Sequence, residues 1–216
     1  MEAQFWLDKW EKQETGFHLS AIHPLLQKFY ARVFRQKLGV FVPLCGKTSD
    51  LTLFAQKGSY TLGCELSDIA ARAFFDSAGL KATERTFENF KSFKANNLEI
   101  LVGDFFDLQR SQVKNCPTIY DRASLIALPS SMRVAYVAKL KSLFKSARML
   151  LITLQYPQAE MKGPPFSVPQ SEVEDLFSFA SVTPLYAKNI LEKEPKFAAR
   201  GLSALEECVY MIEWSN

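Results

Sequence analysis

Short apolar runs alternate with amphipathic stretches along most of this chain. Val40-Phe41-Val42 has the composition of a buried strand, and Pro43 closes it. Ser49 to Gln56 has helical spacing, with Leu51, Phe54 and Ala55 apolar and Gly58 placed to end it. Tyr60 to Glu65 reads as a second strand. Ser67 then caps a helix that carries Ile69, Ala70, Ala73 and Phe74 and stops near Gly79. Leu98 to Val102 and Ile119 to Asp121 are further strands. Pro129-Ser130 opens a helix to about Lys145, and Met149 to Leu154 follows as a strand. Ser171 and Glu174 have capping-box spacing and open a helix over Val173, Leu176 and Phe177. Val182 to Lys188 and Cys208 to Trp214 complete seven strands.

Strands that alternate with helices predict an α/β fold, a mostly parallel sheet with helices on both faces. The last two strands, after a single helix, predict a hairpin at the sheet edge. Residues 81–97 and 155–170 read as long connections. The second contains Gly163-Pro164-Pro165 and cannot be helical throughout. Residues 1–35 differ in texture, being rich in aromatic and polar groups. Trp6 and Trp10, four apart, would share one face of a helix. The expected organisation is one domain over 1–216, with an N-terminal extension (1–35) on an α/β core (36–216).

Composition narrows the function classes. The 216 residues are 48% apolar and 23% charged, which is ordinary for a globular chain and excludes disorder or coiled coil. The purely apolar runs, Met149 to Ile152 among them, are far shorter than a membrane span. The first residues lack the basic and apolar blocks of a signal peptide. A net charge of +3, without a Lys/Arg run, gives no expectation of nucleic acid. Cys45, Cys64, Cys116 and Cys208 form no CxxC pair and have apolar neighbours, so free, mostly buried thiols in a reducing cytoplasm are expected. Two histidines, His18 and His23, are too few for a histidine-based metal site, and no metal is expected.

In an open α/β sheet ligands bind beyond the carboxyl ends of the strands. That rule selects Pro43 to Lys47, Glu65, Gly103-Asp104-Phe105 and Asp121-Arg122. Glu65 lies 19 residues beyond Gly46 at a strand end, where a carboxylate can accept both hydroxyls of a ribose. The first loop has one glycine, Gly46, behind Pro43. It is neither G-x-G-x-x-G nor a Walker loop, so a phosphate cradle is disfavoured. A ribose-bearing cofactor without phosphate, S-adenosylmethionine, suits such a loop. Asp104-Phe105 either holds an adenine or is a helix cap with a core phenylalanine. Arg122 either meets an anionic group of a ligand or pairs with Asp121.

Six short motifs occur in order: Phe5-Trp6-x-x-x-Trp10, Gly16-Phe17-His18, Val42 to Lys47, Leu62-Gly63-x-Glu65-Leu66-Ser67, Asp121-Arg122-Ala123-x-Leu125, and Gly163-Pro164-Pro165-Phe166-x-Val168. On these the chain resembles the thiopurine S-methyltransferase family, in its short bacterial form, from end to end. The resemblance implies a Rossmann-like class I methyltransferase fold with a seven-stranded sheet and an N-terminal helical lid. It implies S-adenosylmethionine as methyl donor, S-adenosylhomocysteine as product, and a small aromatic or heterocyclic thiol as acceptor. Selenium or tellurium species, or another small inorganic or thiol acceptor on the same scaffold, are the alternatives, with a non-catalytic cofactor-binding module as the third reading. Trp6, Trp10, Leu44, Glu65, Phe105 and Arg122 match cofactor-side positions. Phe17 matches a substrate contact, and Arg200 falls where relatives place a basic substrate-side residue. Arg122 is the expected catalytic group, since an arginine favours a thiolate, with His18 as the alternative as general base. Cys45 is disfavoured as a covalent nucleophile, having no histidine evidently paired with it. No membrane partner is expected, and a monomer is the expected state.

Overall fold

The computed structural model describes residues 3–16, 18–19, 21–34 and 38–215. The chain falls into two compact units, residues 1–120 and 121–216.

In the first unit, side-chain caps start two of the helices. After α1 (Ala3–Glu11), His23 accepts the Leu25 N–H on Nδ1 and starts α2 (Pro24–Val33), whose Pro24 sits where no amide donor is needed. The buried run Val40–Val42 forms β1, and α3 (Asp50–Gln56) follows. Then come β2 (Thr61–Glu65), buried along its whole length, and α4 (Asp68–Ser77), capped as expected by Ser67, whose Oγ accepts the Ala70 N–H. Gly58 and Gly79, both at positive φ, follow the ends of α3 and α4.

Residues 81–97 depart from expectation. They are a hairpin of two strands, β3 (Thr83–Phe87) and β4 (Phe90–Ala95), and not a long connection. With β5 (Leu98–Val102) they form an antiparallel meander. The strand count among the described residues is therefore nine rather than seven. A short helix, α5 (Arg110–Val113), leads to β6 (Thr118–Arg122), whose last two residues belong to the second unit. The strand order here is β3-β4-β5-β2-β1-β6, and β5, β2, β1 and β6 run parallel. Phe41, Leu62 and Ile100 lie in the middle of these strands at 0–1% exposure. Burying each such side chain is worth about 1.5–3 kcal/mol.

The second unit contains α6 (Ser130–Leu143), β7 (Ser146–Gln155), α7 (Gln170–Leu176), β8 (Ser181–Asn189), the short α8 (Pro195–Ala198) and β9 (Glu206–Ser215). Helix α6 opens at Pro129-Ser130, as its sequence predicts. The expected capping box at Ser171 is not formed. The cap position is Pro169, two residues earlier and without a side-chain cap, and Glu174 accepts instead from Gln170 Nε2, while Glu172 in the first turn pairs with Arg133. The order β7-β9-β8 is antiparallel, so β8 and β9 form the expected late hairpin. No helix among the described residues is long and apolar enough to cross a membrane.

Candidate functional site

The parallel arrangement of β1, β2 and β5 brings three strand ends together in the first unit, and Glu65 ties them. Its Oε2 accepts the Gly46 N–H at 2.7 Å, its Oε1 accepts the Ser67 N–H at 2.9 Å, and its backbone oxygen accepts the Gly103 N–H at 2.9 Å. The side chain is buried, with the residue 6% exposed. Burial pushes its pKa up, while the backbone N–H groups of Ser67, Gly46 and Leu66 oppose that shift. A carboxylate has about four acceptor positions. Backbone amides occupy both oxygens without filling all of these positions, so the carboxylate keeps acceptor capacity for a ligand hydroxyl.

The loop after β1 is tightly turned. Leu44, half-buried, stands at φ 43° and Gly46 at φ 53°, both left-handed. For a leucine that is strained backbone. A Cβ on Gly46 would lie 3.2 Å from Cζ2 of Trp10. The N-terminal helix therefore lies on this loop: Trp10 is 5% exposed, and Lys47 Nζ is 5.9 Å from its ring centre. Trp6, half-buried, meets Phe5 edge to face at 5.2 Å. His18 is half-buried beyond this helix. Phe17, the expected substrate contact, lies outside the described residues.

Below the loop, Gly63 of β2 leaves room for Cys45. A Cβ there would come 2.7 Å from Cys45 Sγ. Burial, and secondly the charge of Glu65, raise the Cys45 thiol well above its ordinary value, which suits an inert core thiol. All four cysteines are free and buried. Beyond β5, Asp104 accepts the Phe106 N–H at 2.8 Å and caps a short 3-10 turn. The Phe105 ring is 2% exposed and its centre is 6.5 Å from that of Phe41. Its side chain thus serves the core, and the half-buried Phe106 is the more exposed ring of the pair.

In the second unit, Arg122 is half-buried at the end of β6. The turn after it is held by the fully buried Asp121, whose carboxylate accepts from the Ser124 N–H at 3.3 Å, the Leu125 N–H at 3.2 Å and the Tyr136 hydroxyl at 2.7 Å. Ala123 stands at φ 68° within that turn. Arg200 is exposed, with its guanidinium 5.8 Å from the Phe197 ring centre and Nη1 3.7 Å from Met161 Sδ. The Gly163-Pro164-Pro165 segment is clipped in place. Tyr156 donates its hydroxyl to the Pro165 carbonyl at 2.6 Å, and Gln158 bridges Met161 O and Ser167 N. The backbone clamps on Glu65 and the Asp121–Tyr136 bond join residues through folding and carry no local sequence signal.

The family model for thiopurine S-methyltransferase matches residues 1–215. The chain belongs to this family. It is 43% identical over 216 residues to a thiopurine S-methyltransferase of Xanthomonas axonopodis pv. citri, covering 99% of each chain. It is 44% identical over 215 residues to one of Vibrio vulnificus, covering 98% of each. Among solved structures it is similar to a 1,6-didemethyltoxoflavin-N1-methyltransferase of Burkholderia thailandensis with bound S-adenosylhomocysteine. The TM-score there is 0.66 at 12% identity, covering 99% of this chain and 87% of that one. A magnesium protoporphyrin IX methyltransferase from Synechocystis gives a TM-score of 0.58 at 12% identity, covering 97% and 98%. These likenesses show the fold, the Rossmann-like α/β fold of class I methyltransferases. Family and fold together make this chain an S-adenosylmethionine-dependent methyltransferase.

Proposed function

We propose that the chain transfers a methyl group to the sulfur of a small aromatic or heterocyclic thiol. The observation that carries the donor half is the Glu65 carboxylate, buried at a strand end and held on both oxygens by loop amides. Bound S-adenosylmethionine supplies an electrophilic methyl group on a cationic sulfur. Glu65 accepts the ribose hydroxyls. Leu44 and the Phe105 segment form walls for the remainder of the nucleoside. Trp6 and Trp10 cover the loop, exclude water, and offer aromatic faces to a cation, each worth about 0.5–2 kcal/mol. Positioning of donor and acceptor is the main contribution of such a site and can supply roughly 7–11 kcal/mol of the barrier.

On the acceptor side, Arg122 supplies the fixed cation that favours a thiolate or holds a ligand carboxylate, and Phe17 and Arg200 contact the acceptor. A thiolate is itself the nucleophile, so the reaction needs little base catalysis. The choice of sulfur rests on the family and on the names of its relatives. The test is a panel of acceptors with one donor: heterocyclic thiols, their oxygen and nitrogen analogues, selenite and tellurite. Formation of S-methyl products from the thiols supports the reading. Methylation confined to selenium or tellurium species would replace it.

A further inference from the structure

The loop between β1 and α3 carries left-handed backbone at Leu44 and Gly46. Such a conformation persists only where the surroundings hold it. The entry of the loop is held by Glu65, which accepts the Gly46 N–H. The Cys45 N–H adds a bond to the Cys64 carbonyl at 2.9 Å. The exit is held by a second buried carboxylate. Asp50, the first residue of α3, is 2% exposed. Its Oδ1 accepts the backbone N–H of His23 at 2.7 Å, and its Oδ2 accepts the Tyr120 hydroxyl at 2.8 Å. Its own N–H donates to Thr48 Oγ1 at 3.3 Å, and the Thr48 N–H donates to the Cys45 carbonyl at 3.2 Å.

Both side-chain bonds of Asp50 leave α3, so this carboxylate does not cap its own helix. Its partners lie 27 residues before it and 70 after it. His23 starts α2, and Tyr120 belongs to β6, the strand paired with β1. The loop that leaves β1 is thus tied at its far end to the strand beside β1 and to the start of α2. A side-chain amide of the same size has one acceptor oxygen, whereas a carboxylate has two and can take both donors. We propose that Asp50 is a positioning residue for the cofactor, fixing the loop exit so that Gly46 stays on Glu65 and beneath Trp10. This inference rests on the donor-site reading given above.

With the exit loosened, the loop samples several shapes. Apparent affinity then falls with the fraction that is ready to bind, while every folded molecule still binds at saturation. A purely structural role does the reverse: it lowers the share of folded chains and leaves the affinity of the remainder intact. Calorimetric titration of the full chain with S-adenosylhomocysteine reads the two separately, as Kd and as stoichiometry. Asp50→Ala should raise Kd about tenfold at one-to-one stoichiometry, as the loss of hydrogen bonds to a carboxylate implies. Because Asp50 is buried and that variant can fail to fold, Tyr120→Phe, which loses only the hydroxyl, is the second variant. It should raise Kd about threefold or more, again one-to-one. An unchanged Kd in whichever variant folds, or a lowered stoichiometry at unchanged Kd, would overturn the proposal while leaving the donor site in place. Absence of binding to folded wild type would instead overturn the donor-site reading, and this proposal with it.

Discussion

Asp121 offers a quantitative check on the turn that follows Arg122. Burial raises its carboxyl from an ordinary 3.8 to about 6, against the opposing bonds from Tyr136, Leu125 and Ser124. The folded state therefore holds this proton more tightly than the unfolded state. Its contribution to stability is fully present below pH 3.8 and is lost as pH rises through about 6. The size follows from the two values: about two pKa units at 1.36 kcal/mol each, or on the order of 3 kcal/mol. Glu84 acts in the opposite sense, since hydrogen bonds from Arg72 and Lys91 hold it below its ordinary value and its contribution fades as pH falls. The whole-protein curve mixes both signs, so a difference measurement is required. Asp121→Asn keeps an acceptor for the Ser124 and Leu125 amides and places an amide N–H₂ toward Tyr136, while removing the titration. Urea unfolding of wild type and variant at pH 4, 5, 6 and 7 gives the difference. Wild type should lose about 2–2.5 kcal/mol relative to the variant between pH 4 and 7, the rest of the change lying below pH 4. A pH-independent difference, or a wild type that gains on the variant as pH rises, would refute the argument.

Glu65→Ala removes the acceptor for two ligand hydroxyls and the anchor of the Gly46 loop, so S-adenosylhomocysteine affinity should fall about tenfold or more; unchanged affinity in folded protein would mean that another residue holds the ribose. Trp10→Ala should weaken the same ligand and lower Tm together, by calorimetry on both counts, and a lowered Tm alone would reduce α1 to a packing role. Gly63→Ala places a Cβ 2.7 Å from Cys45 Sγ, so it should destabilise by about 1–3 kcal/mol, and Cys45→Ala in the same chain should restore most of that in a double-mutant unfolding cycle. Arg122→Met should lower kcat/KM for a thiol acceptor about tenfold and move its pH optimum upward, because the cation that favours the thiolate is gone; an unmoved pH profile would assign Arg122 to another task.

The sequence is most readable where burial is complete. Strands β1 and β2 are buried along their whole length, and Ser67 sits where its hydroxyl caps α4. Glu65 stands out because an acid ends an apolar strand. The β3–β4 hairpin was not legible, because all five residues of β3 are exposed and show no apolar alternation. Its turns use Glu88 and Asn96 at positive φ, with no glycine to mark them. For Phe105 the sequence left two roles open, an adenine contact or a core phenylalanine behind a cap, and the structure adds that its ring packs on Phe41, a contact its neighbours in sequence do not encode. Arg133 and Glu172 lie 39 residues apart, so nothing short of the fold brings them together.

Calorimetric titration of the purified chain with S-adenosylmethionine and with S-adenosylhomocysteine tests the donor site directly. Saturable one-to-one binding of either, weakened in Glu65→Ala, is the predicted result. Absence of binding of both to protein shown to be folded would contradict it.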